Sequence, residues 1–237
     1  MQLGLHALGI GAGADRAVID AVASSADECG FATLWAGEHV VMVDRSASHY
    51  PYSDDGAISV PAQADWLDPM IALAFAALGV PFEHRAARAD EYVAAMRTLW
   101  RDDVASFDGR FVGFDSIRVN PKPVRDRGIP IVMGGNSDPA LRRVASLADG
   151  WYGFNLDGLT AVRERLGKLD ELCAGLGRDR SELRLAVALR KPRVADFDEL
   201  AALGVDELVL VEAPPERPEA AGEWVSTLAD RWIAERG

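Results

Sequence analysis

Among the 237 residues there are only 2 cysteines and 4 histidines, and acidic side chains outnumber basic ones by 37 to 25. Two cysteines, Cys29 and Cys173, make neither a disulfide framework nor a zinc spacing. They read as reduced residues inside helical patterns. The net charge of −12 lacks the basic surplus that a phosphate backbone or an anionic lipid surface requires, so nucleic-acid and membrane partners are not expected. No apolar run approaches the ~20 residues needed to span a bilayer. The opening stretch "MQLGLHALGI" shows neither a basic n-region nor an A-x-A site, and a cytoplasmic location is expected from that. The chain also lacks the six-residue dinucleotide fingerprint, a P-loop and a G-x-S-x-G elbow.

What is present is a substantial apolar fraction, 49%, enough for a packed core. Strands and helices alternate along most of the chain. Residues 3–10 and 31–42 read as buried strands flanking a helix with Asp15 as its N-cap and Gly30 just past its end. Residues 41–67 form a polar loop rich in Ser, Asp and Pro, longer than an ordinary connector. A helix follows in "PMIALAFAAL", then a break at "LGVPF", then a helix from Glu83 to Arg101. Residues 103–115 read as a β-hairpin around Asp108-Gly109. Four βα units complete the chain, and with the two at the front they give six parallel strands. Six strands suit a doubly wound open sheet, whereas a (β/α)8 barrel has eight.

Four groups of residues carry possible chemistry. In "PIVMGGNSDPALRR" a buried strand ends at Gly134-Gly135, and a helix starts after Asn136 and Ser137. Glycines permit close backbone approach and a helix N-terminus presents N–H groups to an anion, with Arg142 and Arg143 one turn further on. The same residues also suit a tight βα turn capped by Ser137 or Asp138 with Pro139 behind it. Glu38 and His39 stand at the C-terminal end of the second strand, the edge where α/β folds bind ligands. They can serve acid–base chemistry or simply cap a strand end. His6, in the middle of the first strand, either faces a barrel interior or, as a lone histidine, is a satisfied core residue. His49, Tyr50 and Tyr52 either touch substrate or lie in a solvated loop, and His84 fits an exposed helix start. Trp151 and Tyr152 read as core rather than as a stacking platform.

At "GFATLWAGEHVVM", and with "LGLHALGIGAG" before it and "LAALGVDELVLV" near the end, the chain resembles the luciferase-like monooxygenase superfamily, most closely its F420-dependent branch. "DWLDPMIALAFAA", "LGVPFEHRAARADEYVAAMRTLW", "FDGRFVGFD", "NPKPV" and "PIVMGGNSDPALRRVASLADGWYGF" agree in collinear order. The resemblance implies a TIM-barrel-like α/β fold occupying residues 1–237 as one domain. It implies an active site at the C-terminal ends of the strands and coenzyme F420, alternatively FMN, as cofactor. Glu38 and His39 match the acidic-His pair that approaches the ring and substrate. Gly134, Gly135 and Asn136 match the phosphate-holding turn, and with Ser137 and His6 they form the expected cofactor-binding set. No metal is expected.

The resemblance also explains why two helices adjoin at "LGVPF". Ordinary members carry a third strand, a helix and a fourth strand there, and this chain passes directly from one helix to the next. The expected fold is therefore a shortened, incomplete or re-paired barrel, whose second and fifth barrel strands either pair with each other or stay open. A homodimer partner is one way to cover an open edge. The expected activity is hydride transfer between F420 or FMN and a small organic substrate. The alternatives are a catalytically weak flavin-, deazaflavin- or phosphate-ligand-binding protein and a barrel remnant without ligand.

Overall fold

The structure is a computed structural model, and it describes residues 1–8, 10–36, 84–125 and 128–233. The strands are β1 (Gln2–Leu8), β2 (Thr33–Ala36), β3 (Ala105–Asp108), β4 (Gly113–Ile117), β5 (Val132–Gly134), β6 (Gly150–Leu156), β7 (Arg184–Leu189) and β8 (Glu207–Val211). The helices are α1 (Arg16–Glu28), α2 (Arg85–Arg101), α3 (Asp138–Leu147), α4 (Gly158–Gly175), α5 (Asp196–Ala202) and α6 (Pro218–Trp232). Six strands form one sheet in the order β2-β1-β8-β7-β6-β5, with parallel ladders, and β3 and β4 form a separate antiparallel pair. The six-strand expectation is met among the described residues. Among the described residues β2 and β5 are the two ends of the strand order.

The chain divides into two compact units: Met1–Gly79 with Phe154–Val162 and Ala186–Gly237, and Val80–Gly153 with Arg163–Leu185. The first unit is built around β1. Leu3, Leu5 and Ala7 alternate along it and are buried. Gly4 and His6 therefore lie on its opposite face, since successive strand residues point to opposite sides. α1 starts where the Asp15 carboxylate accepts hydrogen bonds from the backbone N–H groups of Ala17 (2.9 Å) and Val18 (3.1 Å). Its Val18, Val22 and Ala26 recur every four residues and are buried, facing α6 with its buried Ala221, Val225 and Trp232. The first strand ends earlier than residue 10, at Leu8, and the second is described only to Ala36.

The sheet in this unit curls. β1 and β6 are separated by β8 and β7 in the strand order, which in a flat sheet would place them ~14 Å apart. The ring centroids of His6 and Phe154 are nevertheless only 6.2 Å apart. Side chains three strands apart meet at that distance only if the sheet bends toward the face that carries them.

In the second unit, α2 is tied to the hairpin β3–β4 by Glu91. Its carboxylate accepts from the backbone N–H groups of Arg110 (3.0 Å), Phe111 (2.6 Å) and Val112 (2.7 Å) in the hairpin turn. The Arg88 and Arg110 guanidinium groups lie over the Phe111 ring. The Asp149 carboxylate joins two further elements, accepting from the Arg97 guanidinium (3.0 Å) and from the Ile131 N–H (2.9 Å). The hairpin strands occupy Ala105–Asp108 and Gly113–Ile117, at the position expected for them and outside the parallel sheet.

Candidate functional site

The turn between β5 and α3 is made from residues 134–138. β5 ends at Gly134, and Gly135 takes φ = +107°, where a side chain is strained and where an added Cβ would lie 2.8 Å from the Ala140 methyl. Ser137 is the N-cap: its hydroxyl accepts from the Ala140 N–H at 3.4 Å. Of the two capping residues the sequence allowed, the structure selects Ser137, and Asp138 becomes the first residue of α3. The apolar face of α3, with Ala140, Leu141, Val144 and Ala145, is buried, and this fixes the direction of the helix from the turn.

Two side chains grip the backbone of this turn. The indole Nε1–H of Trp151 donates to Gly135 O at 3.0 Å, and Arg165 Nη1 donates to Asn136 O at 3.2 Å. Arg165 Nη1 also lies 3.2 Å from Asp138 Oδ1, with the two side chains 30% and 46% exposed. Trp151 is fully buried, as expected of a core residue, and its N–H adds a polar role to that one. Arg165, on α4, carried no signal in the sequence: one arginine in a charged helix looks like any other until the fold brings it to the turn. Arg142 is exposed on α3.

Of the cofactor-binding set, the structure brings Gly134, Gly135, Asn136 and Ser137 together in one turn of the second unit. His6 belongs to the first unit. It is half-buried beside Phe154, and burial pushes its pKa below the usual histidine value, which favours the neutral imidazole. Glu38, His39, His49, Tyr50 and Tyr52 lie outside the described residues, as do the helix at "MIALAFAA" and the 41–67 loop. His84 is exposed at the start of α2.

The first unit also holds a polar cluster that the sequence reading did not single out. Glu207, the first residue of β8, is fully buried, and its Oε1 accepts from the Thr33 hydroxyl and from Trp35 Nε1 (3.0 Å) on β2. Trp35 Nε1 is also 3.0 Å from the Thr33 hydroxyl. Between β8 and β2 runs β1, and Gly4 sits at the crossing, where any Cβ would collide with the Glu207 carboxyl, the Thr33 hydroxyl and the Trp35 indole. The absent side chain at Gly4 is what lets two strands reach each other across a third.

Cys29 is half-buried and Cys173 buried, and both are free thiols. Among the described residues, no group of three or more His, Cys, Asp or Glu is placed to hold a metal ion, and no helix is long and apolar enough to cross a membrane.

The model of the family described as "Luciferase-like monooxygenase" matches residues 70–224, more than half of the chain. An uncharacterized protein of Mycobacterium tuberculosis (strain ATCC 25618 / H37Rv), Rv0953c, is 35% identical over 153 residues, 64% of this chain and 52% of that protein. An FMNH(2)-dependent dimethylsulfone monooxygenase of Pseudomonas putida is 28% identical over 192 residues, 74% of this chain and 51% of that protein. The chain thus spans about half the length of these curated relatives. Among solved structures, monooxygenase RslO1 from Streptomyces bottropensis superposes with a TM-score of 0.65 at 13% identity, covering 100% of both chains. The coenzyme F420 dependent tetrahydromethanopterin reductase of Methanopyrus kandleri gives 0.62 at 13% identity, covering 99% of both. At that identity the likeness concerns the fold, which is barrel-like with six parallel strands among the described residues.

Proposed function

This chain belongs to the luciferase-like monooxygenase family, and from that premise we propose that it is an oxidoreductase that binds coenzyme F420 or FMN and acts on a small organic molecule. When bound, the cofactor supplies the hydride chemistry. The observation that carries the reading is the turn at residues 134–138: it stands at the C-terminal end of a parallel strand and opens a helix, the place and the form in which α/β folds hold phosphate. The residues fit such a group. Gly135 adopts a backbone conformation suited to glycine, and the helix beyond it begins with a clean serine cap.

In this reading Gly134, Gly135, Asn136 and Ser137 bind the cofactor phosphate through backbone and hydroxyl groups. His6, held neutral by burial, offers a hydrogen bond to the ring without bringing a charge. Glu38 and His39 position the ring and hold or move a proton at the substrate. F420 and FMN remain the two cofactor candidates, because solved structures and relatives of both kinds resemble the chain. We propose cytoplasmic residence and a homodimer on the same footing.

A second reading, a catalytically weak ligand-binding protein, is favoured by the six parallel strands among the described residues, against the eight of a complete barrel. Titration with F420 and separately with FMN, followed by the fluorescence of each cofactor, tests the proposal. Saturable binding of either, with turnover when a reducible substrate panel is added, supports the oxidoreductase. Binding without turnover moves the protein to the second reading. A folded protein that binds neither removes both.

A further inference from the structure

We propose that Trp151 and Arg165 are positioning residues that pre-form the phosphate turn, and that Arg165 also screens the Asp138 carboxylate from the bound anion. This rests on the reading of residues 134–138 as the cofactor's phosphate site. In a planar trans peptide the C=O of one residue and the N–H of the next point in opposite directions. Trp151 Nε1 holds Gly135 O at 3.0 Å, and this fixes the direction of the Asn136 N–H. Arg165 Nη1 holds Asn136 O at 3.2 Å, and this fixes the direction of the Ser137 N–H. Two consecutive N–H groups are thus aimed away from the donors that grip the turn. Fixing both before a ligand arrives removes an ordering cost from binding.

Asp138 is the complication. A carboxylate in the first turn of a helix is favoured by the helix dipole, and for the same reason it competes with an incoming phosphate. Arg165 Nη1 lies 3.2 Å from Asp138 Oδ1 while it holds Asn136 O, so one guanidinium serves the backbone and compensates the carboxylate. A lysine would supply a charge without the planar fork that reaches two acceptors. Trp151 does its part from full burial, where its N–H needs an acceptor and the Gly135 carbonyl is the one it has.

The test compares ligands that differ only in the phosphate-bearing arm: FMN against riboflavin, and F420 against its unphosphorylated deazaflavin core. Each is titrated by its own fluorescence, using whichever pair the wild-type protein binds. Arg165→Met is expected to reduce the preference for the phosphorylated ligand by about tenfold, the scale of one charge-assisted hydrogen bond. Trp151→Phe keeps the ring in the core and is expected to reduce it by about threefold. The unphosphorylated ligand's affinity stays within about twofold in both. Adding Asp138→Asn to Arg165→Met restores part of the preference, which a merely structural role for Arg165 would not produce. Circular dichroism confirms that each variant is folded, and Arg165→Lys provides a milder form should Arg165→Met fail to fold. If the wild-type protein prefers the phosphorylated ligand but neither variant changes that preference, the inference is overturned while the phosphate site stands. If the double variant restores nothing, the screening role is overturned. If the wild-type protein shows no preference, the phosphate site itself fails, and this inference with it.

Discussion

Two regions of this molecule hold polar groups at the ends of strands, and they do so in opposite ways. At the start of β8, Glu207 is fully buried and its acceptor is filled by donors from Thr33 and Trp35. At the end of β5, the turn of residues 134–138 is gripped from one side by Trp151 and Arg165, and the Arg165–Asp138 pair remains partly exposed. The first arrangement satisfies itself, and a buried polar network of that kind stabilises one arrangement of strands. The second uses side-chain donors to satisfy and orient two backbone carbonyls of a turn, leaving its N–H groups to face the other way. The contrast also follows the polarity of parallel sheets, whose N-terminal strand ends serve stability and whose C-terminal ends serve ligands.

The most severe way to break the comparison is at the crossing of β1. Gly4→Val would drive a branched side chain into the Glu207, Thr33 and Trp35 groups. The expected outcome is a loss of about 3 kcal/mol or more of stability, read as a lower urea midpoint or as insoluble protein. Glu207→Ala leaves a cavity and displaces two donors, and should cost about 2–4 kcal/mol. Neither change should alter the preference for a phosphorylated ligand in protein that remains folded. A large change in that preference would mean that the two regions are not separate in function.

Gly135→Ala attacks the other side. It places a Cβ at a positive φ and 2.8 Å from the Ala140 methyl, and should cost about 1–3 kcal/mol. Here cofactor affinity should fall by more than the stability loss explains, because the turn changes shape. Equal affinity in the folded variant would count against the phosphate reading.

Two pH experiments have smaller effects. Burial lowers the His6 pKa, so the folded protein binds a proton there less readily than the unfolded chain does. Its contribution is fully present above the unfolded value of about 6.5 and is lost as pH falls toward the lower folded value. Thermal melts between pH 7.5 and 5.5 should show this decline, and His6→Phe should flatten it. The Glu91 carboxyl is also held below its ordinary value. Partial burial raises its pKa, but the backbone N–H groups of Phe111, Val112 and Arg110 and the charge of Arg110 outweigh this and give a net lowering. Its stabilisation of the hairpin is present above its unfolded value and is lost as pH falls through the folded one. Glu91→Gln should remove that acid limb and make hydrogen exchange at the backbone N–H groups of residues 110–112 faster at neutral pH.

Much of this was legible in the residue order. Asp15 announced α1, the Asp108-Gly109 pair announced the hairpin, and the glycine pair followed by a cap announced the turn after β5. These signals are local: each depends on residues within a few positions of one another, and backbone sterics and capping act at that range. The turn was ambiguous between anion site and simple connector because its own residues suit both. The Trp151 and Arg165 contacts that shape it come from other elements.

What the sequence by itself determined is, among the described residues, the six parallel strands and the helices between them, together with the family and the position of the turn. Periodicity, caps and collinear motifs are properties of neighbours along the chain. Only the tertiary structure decided that β1 lies between β2 and β8, that Gly4 is bare so that Glu207 can reach across it, and that Arg165 meets Asn136 and Asp138. Those pairs are 29, 27 and, for Thr33 and Glu207, 174 positions apart. No local preference encodes such meetings. They arise when burial of the apolar faces of the strands and helices fixes the sheet order, and the polar side chains left inside must then find partners or forfeit the hydrogen bonds they had in water.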